Sequence, residues 1–199
     1  MTELLFIRHG PTEWNEGGRI QGRSDIPLSN SGRDEVRSWT LPASFQSWAC
    51  FCSPLARARQ TAALLGFKTP QIVDDLQEMH WGEWEGHTLD TLRAIDPEAF
   101  RRNEDRGLDF RPAGGESPRE VRARLAQWVA SLDKEVLPAV IVCHKGVLRA
   151  ALSLATGWDM FDDPPDKLRE PCAHLYTIQG DSLMVKQLNL SLKPPELSP

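Results

Sequence analysis

Three short, uninterrupted apolar runs constrain this chain more than any other feature: Leu4 to Ile7, Trp48 to Cys52 and Ala139 to Cys143, each bounded by polar or turn residues. An apolar run without alternation reads as a strand buried on both faces, and such strands belong to sheets covered by helices on each side. A weaker strand is expected near Gln71 to Val73. Helices are expected from near Ser29, from Leu55 to Leu65 with Gly66 as the stop, and from about Val147 to Thr156 with Gly157 as the stop. Ser117-Pro-Arg-Glu120 has an N-cap serine, a proline at the first helical position and a glutamate three residues after the cap, so a helix should run from there to about Lys134. Ala173 to Ile178 and Leu183 to Leu188, separated by Gln179 to Ser182, predict a closing hairpin. Strands alternating with helices predict an α/β fold with a mostly parallel sheet, in which ligands bind beyond the carboxyl ends of the strands.

The rest of the chain fits one domain over residues 1–192. A polar, helical insertion is expected at about 85–115, with Leu89, Leu92 and Ile95 at helical spacing and Pro97 interrupting. A frayed, proline-rich tail is expected at 193–199. The 23 Lys plus Arg against 28 Asp plus Glu leave a net charge of −5, which argues against a nucleic-acid partner that relies on a basic surface. The longest apolar runs have five residues, too few for a membrane span, and the first residues lack the pattern of a signal peptide, so a cytoplasmic location is expected. Cys50, Cys52, Cys143 and Cys172 show no CxxC spacing, which favours reduced, mostly buried thiols over disulfides or a zinc site.

The residues at the strand ends carry chemistry. Arg8-His9-Gly10 comes directly after the first strand, Ser53-Pro54-Leu55-Ala56-Arg57 after the second, and His144 after the fourth. Two guanidinium forks suit phosphoryl oxygens, and a neutral imidazole is a nucleophile for phosphorus. The reading is phosphoryl transfer through a phosphohistidine. Neighbouring Arg charges disfavour imidazolium, and a ring N–H bonded to a backbone carbonyl would aim the other nitrogen at the substrate. The leaving alkoxide needs a proton from a partly desolvated carboxylic acid, for which Glu78 is the candidate, with Glu83 and Glu85 behind it.

RHGPTEWN (8–15), SPLARARQTA (53–62), LQEMHWGEWEG (76–86), GGES (114–117) and VCHKG (142–146) together resemble the histidine phosphatase superfamily, and within it the phosphoglycerate-mutase-like branch. The resemblance covers about residues 1 to 190. It implies a three-layer α/β sandwich and a chemistry that needs no metal or other cofactor. It also implies that His9 is the phosphate acceptor, that Arg8, Arg57 and His144 form the phosphate pocket, and that Glu78 is the proton donor. By the same resemblance Asn15 hydrogen-bonds the phosphoryl group, and Gln21 and Gly22 lie where substrate touches the loop. The chain departs from the pattern at Lys145, where a glycine or small residue is usual; a lysine there would favour a more anionic substrate.

The residue-level alternatives are structural. Asn15 in a loop can bond its own backbone, and Glu85 can cap or pair locally while Glu83 is solvated. Arg59 reads as exposed or structural. His80, His87 and His174 lack metal-ligand spacing, and Trp14, Trp81 and Trp84 either line a substrate mouth or pack. The expected function is a metal-independent phosphatase acting on a phosphorylated small molecule. A cofactor-dependent phosphoglycerate mutase and a non-catalytic phosphate-binding module are the alternatives.

Overall fold

A computed structural model describes residues 2–180 and 182–194; the last five positions of the expected tail lie outside the described residues. In chain order the elements are β1 (Glu3–Arg8), α1 (Glu13–Glu16), α2 (Asn30–Ser38), α3 (Ala43–Gln46), β2 (Ala49–Cys52), α4 (Ala56–Leu64), β3 (Gln71–Ile72), α5 (Leu89–Ile95), α6 (Pro97–Glu104), α7 (Pro118–Ser131), β4 (Ala139–Cys143), α8 (Lys145–Thr156), β5 (Cys172–Gln179) and β6 (Ser182–Ser191). The six strands form one sheet in the order β3-β2-β4-β1-β5-β6. The β3-β2-β4-β1 pairings are parallel, and β5 and β6 are antiparallel.

The apolar runs occupy the middle of the sheet because they are the segments able to bury both faces. Every residue of β4 is buried, as are the first five of β1. Alternate side chains sort into two cores. Leu4, Phe6, Phe51 and Ile141 face Val121, Leu125 and Trp128 of α7 and Val147, Leu148 and Ala151 of α8. Leu5, Ile7, Cys50, Cys52, Val140 and Val142 face Ala58 and Ala62 of α4. These are the three expected layers.

Several boundaries differ from expectation, each for a local reason. The helix predicted from Val147 begins at Lys145, with His144 as its N-cap, and ends as expected at Gly157 in the left-handed conformation. The helix predicted to reach Lys134 stops at Ser131, because Leu132 is already extended. Pro97 opens α6 instead of merely interrupting: Asp96 caps the Ala99 N–H, and proline suits the first helical position. All four cysteines are free, although Cys172 is only partly buried. Among the described residues no helix is long and apolar enough to cross a membrane.

Candidate active site

Strand register places the chemistry. Arg8 pairs with Cys143 across β1 and β4, and Cys52 pairs with Val142 across β2 and β4, so His9, Ser53 and His144 leave the same edge side by side. The ladder extends one step beyond the strands, with the His9 N–H donating to Cys143 O and the Ser53 N–H to Val142 O. The His9 and His144 rings lie 5.1 Å apart.

Above this edge lies a cleft of about 470 Å³, lined among others by Arg8, His9, Asn15, Gln21, Gly22, Arg57, Glu78 and Lys145. His144 is fully buried against His9, in the floor beneath the lining. His9 Nδ1 is 2.7 Å from the Gly10 carbonyl oxygen. A carbonyl only accepts, so the proton sits on Nδ1 and the lone pair on Nε2. Burial pushes the His9 pKa well below its ordinary value, and the charges of Arg8 and Arg57 push the same way. His144 is lowered too, by burial first and then by His9, Arg57 and Arg8. Its Nε2 lies 2.7 Å from Ser53 Oγ, whose lone pair accepts the Leu55 N–H. With the Ser53 hydroxyl donating to Nε2, the His144 proton belongs on Nδ1, a buried atom without a partner.

Arg57 is completely buried, and burial lowers its pKa against the opposing pull of Glu78, Asp25 and Glu85. Two of its nitrogens donate to loop carbonyls, Nη1 to Ser24 at 2.8 Å and Nη2 to Gly22 at 2.7 Å, while Nε is unpartnered. Arg8 pairs through Nη1 with Glu170, and its Nε is likewise buried and unpartnered. Glu78 Oε1 accepts the Met79 N–H at 2.8 Å and the Gly146 N–H, from the first turn of α8, at 3.0 Å. A Cβ at residue 146 would lie 2.2 Å from that oxygen, so the close approach of helix and carboxylate requires glycine.

The remaining expectations divide. Asn15 lines the cleft, but its Oδ1 accepts the Thr12 N–H and hydroxyl as the partner in a capping box at α1, which is the backbone-bonding alternative. Gln21 is buried with Oε1 unpartnered, and Gly22 serves through its carbonyl on Arg57. Lys145 is exposed on the cleft wall, and Glu83 and Arg59 are exposed. Trp81 lines the cleft, whereas Trp84 stacks on Phe100 at 4.8 Å and meets Phe110 at 5.5 Å. That stack fixes α6 and the turn Gly107–Asp109 as one wall.

Two positioning residues are not evident from sequence alone. Glu85 accepts the N–H groups of Arg23, Ser24 and Trp81 and the Ser24 hydroxyl. Burial pushes its pKa up, but these donors outweigh burial and hold it below the ordinary value. Glu85 therefore pins the loop whose carbonyls grip Arg57; Gly22, at φ +54°, lies so close that a Cβ would be 2.0 Å from Glu85 Oε1. Arg124, on α7, donates to the carbonyls of Asp75 and Gln77 and pairs with Glu116, which anchors the segment leading into Glu78. Local pairing of Glu85 is expected from sequence and is present at Trp81, but its other targets, Arg23 and Ser24, are about 60 residues away, and no motif marks Arg124.

Neutral buried histidines make stability depend on pH. His174 has Nδ1 accepting the Asn189 N–H, and burial pushes its pKa down to about 4. Its folded value lies below the unfolded value of about 6.5, so the unfolded chain binds more protons between the two. The stabilisation is complete above about pH 6.5 and is lost as pH falls toward 4, at roughly 1.4 kcal/mol per pH unit for each such histidine. Thermal melting from pH 7.5 to 4.5 should show this decline, with a shallower slope in His174→Asn. A melting temperature flat across that window in the unaltered protein would contradict the assignment.

The histidine phosphatase superfamily (branch 1) model matches residues 4–190. Glucosyl-3-phosphoglycerate phosphatase of Mycobacterium tuberculosis is 36% identical over 167 residues, spanning 76% of this chain and 74% of that protein. The metal-independent phosphoserine phosphatase of Arabidopsis thaliana is 31% identical over 161 residues, spanning 75% of this chain and 67% of its own. The solved structure of a mycobacterial glucosyl-3-phosphoglycerate phosphatase with VO3 has a TM-score of 0.78 at 27% identity, covering 96% of this chain and 100% of that one. With a neutral histidine between two arginines at the strand edge and this match over nearly its whole length, the chain belongs to the histidine phosphatase superfamily, branch 1.

Proposed function

We propose that the protein hydrolyses a phosphomonoester in two steps through a phosphohistidine on His9. The observation that carries this reading is a set of three buried nitrogens without partners, Arg8 Nε, Arg57 Nε and His144 Nδ1, on side chains beside one neutral imidazole, the last a donor in the tautomer assigned above. Each unsatisfied buried donor costs about 1–3 kcal/mol. Three around one nucleophile make sense as a cradle for the oxygens of a transferring phosphoryl group.

In the first step His9 Nε2 forms a bond to phosphorus as the bond to the leaving oxygen breaks, and Glu78 gives that oxygen a proton. In the second, Glu78 takes a proton from water, whose oxygen attacks phosphorus and releases inorganic phosphate and free His9. Asn15, Gln21, Gly22 and Lys145 all line the cleft, the first three assigned to the phosphate end and Lys145 to the leaving-group end. The substrate class is a phosphorylated small molecule, in keeping with relatives named for a glucosyl phosphoglycerate and for phosphoserine. We assign a cytoplasmic setting on the support of four unpaired thiols.

Rapid quenching with 32P-labelled phenyl phosphate tests the mechanism. An acid-labile, base-stable labelled protein should form faster than the steady-state turnover and vanish on chase. Turnover without any labelled protein would remove the covalent step. With phosphoglycerate as substrate, isomerisation without release of inorganic phosphate would assign a mutase.

A further inference from the structure

Beside the cleft lies a second cavity of about 450 Å³, and the two share Lys145 and Arg149 in their walls. These residues are four apart on α8, so they sit one turn above each other on one helix face. Arg149 is half-buried, with its guanidinium carbon 4.7 Å from the centre of the Trp158 ring. Among the described residues it makes no ion pair, and burial alone lowers its pKa. Arg124 is the contrast, since it is spent on the Asp75 and Gln77 carbonyls and on Glu116. Lys167 and Arg169 add positive charge to the second cavity and Asp163 and Glu170 negative charge, but Glu170 is engaged by Arg8. Leu148, Leu152 and Leu168 supply an apolar wall. A guanidinium stacked on one face keeps its in-plane N–H donors for a planar anion.

We propose that this second cavity receives the leaving-group end of the substrate, and that the substrate is a phosphomonoester bearing a second anionic group, a carboxylate in the first instance, held by Arg149 and Lys145. The proposal rests on the phosphatase reading above and specifies what lies beyond the scissile oxygen. Lys145 starts α8 directly after His144, and Arg149 lies roughly 6 Å further along the helix, which sets the reach required.

The test uses the full chain and two matched series: ω-carboxyalkyl phosphates with two to six methylenes, and ω-hydroxyalkyl phosphates of the same lengths, with phenyl phosphate as a reference. At one length or more, kcat/KM for the carboxylate should exceed that for the alcohol roughly tenfold to a hundredfold, the range of a charge-assisted hydrogen bond. That ratio should fall to about threefold or less in Arg149→Met and in Lys145→Gln, mainly through KM. Melting checks the fold of Arg149→Met, which loses its stacking on Trp158. Lys145→Gln alters an exposed side chain and decides the matter if the other variant is unfolded. Hydrolysis of both series with no carboxylate preference at any length, or a preference that survives Lys145→Gln, overturns the second subsite and leaves the phosphatase reading standing. Absence of phosphate release from every compound, phenyl phosphate included, overturns both.

Discussion

Replacing His9 with Ala is expected to lower kcat for phenyl phosphate hydrolysis by roughly 10⁴-fold or more, the scale seen when a covalent nucleophile is removed. The other side chains at the strand edge are engaged or unsuited: Ser53 Oγ is fully buried and bonded to His144 Nε2 and the Leu55 N–H. His144 lies in the floor with Nε2 on Ser53, and the guanidinium groups of Arg8 and Arg57 are not nucleophiles. The fold should survive, because the variant gives up one hydrogen bond to the Gly10 carbonyl, about 1 kcal/mol. Phosphate release measured beside thermal melting separates the two effects. A folded His9→Ala protein with a tenth of the original rate or more would end the phosphohistidine mechanism.

The second large effect is expected at Arg57. Arg57→Met should reduce kcat/KM by about 10³-fold, comparable with the loss of a preorganised donor or an arginine that stabilises a transferring phosphoryl group. Stability responds far less. The carbonyls of Gly22 and Ser24 lose their donors, but the cleft borders this loop and water can reach it, and removing a buried charge recovers part of the loss. The net change should be about 1–2 kcal/mol. Arg57→Lys should not restore activity, since one ammonium cannot reach two carbonyls and a phosphoryl oxygen together. Rescue by lysine to within about tenfold would show that Arg57 supplies charge and not geometry.

The half of the site that depends on chain neighbours is legible in the sequence. Arg8, His9 and His144 sit at the ends of strands whose apolar runs announce them, and α/β topology brings those strand ends together. The capping box at Ser117 and the stop at Gly157 are local patterns, and both appear as read. What the sequence conceals is long-range. Glu85 reaches back about 60 residues to the loop at Arg23 and Ser24, and Arg124 reaches the backbone ahead of Glu78 across about 50. A carboxylate or guanidinium spent on backbone groups has no sequence partner to betray it. Asn15 shows the converse: its residue type fits both a phosphoryl contact and a cap, and only coordinates reveal that Oδ1 serves the cap.

The stacked rings of Trp84 and Phe100 tie α6 to the wall of the cleft, and neither ring belongs to the phosphate cradle proposed for Arg8, Arg57 and His144. Under the proposed mechanism this wall is built apart from the groups that break the ester, while the proposed second subsite on α8 starts directly after His144. Substitutions between residues 89 and 110 are therefore expected to change which alcohol is accepted more than the rate at which the ester is broken.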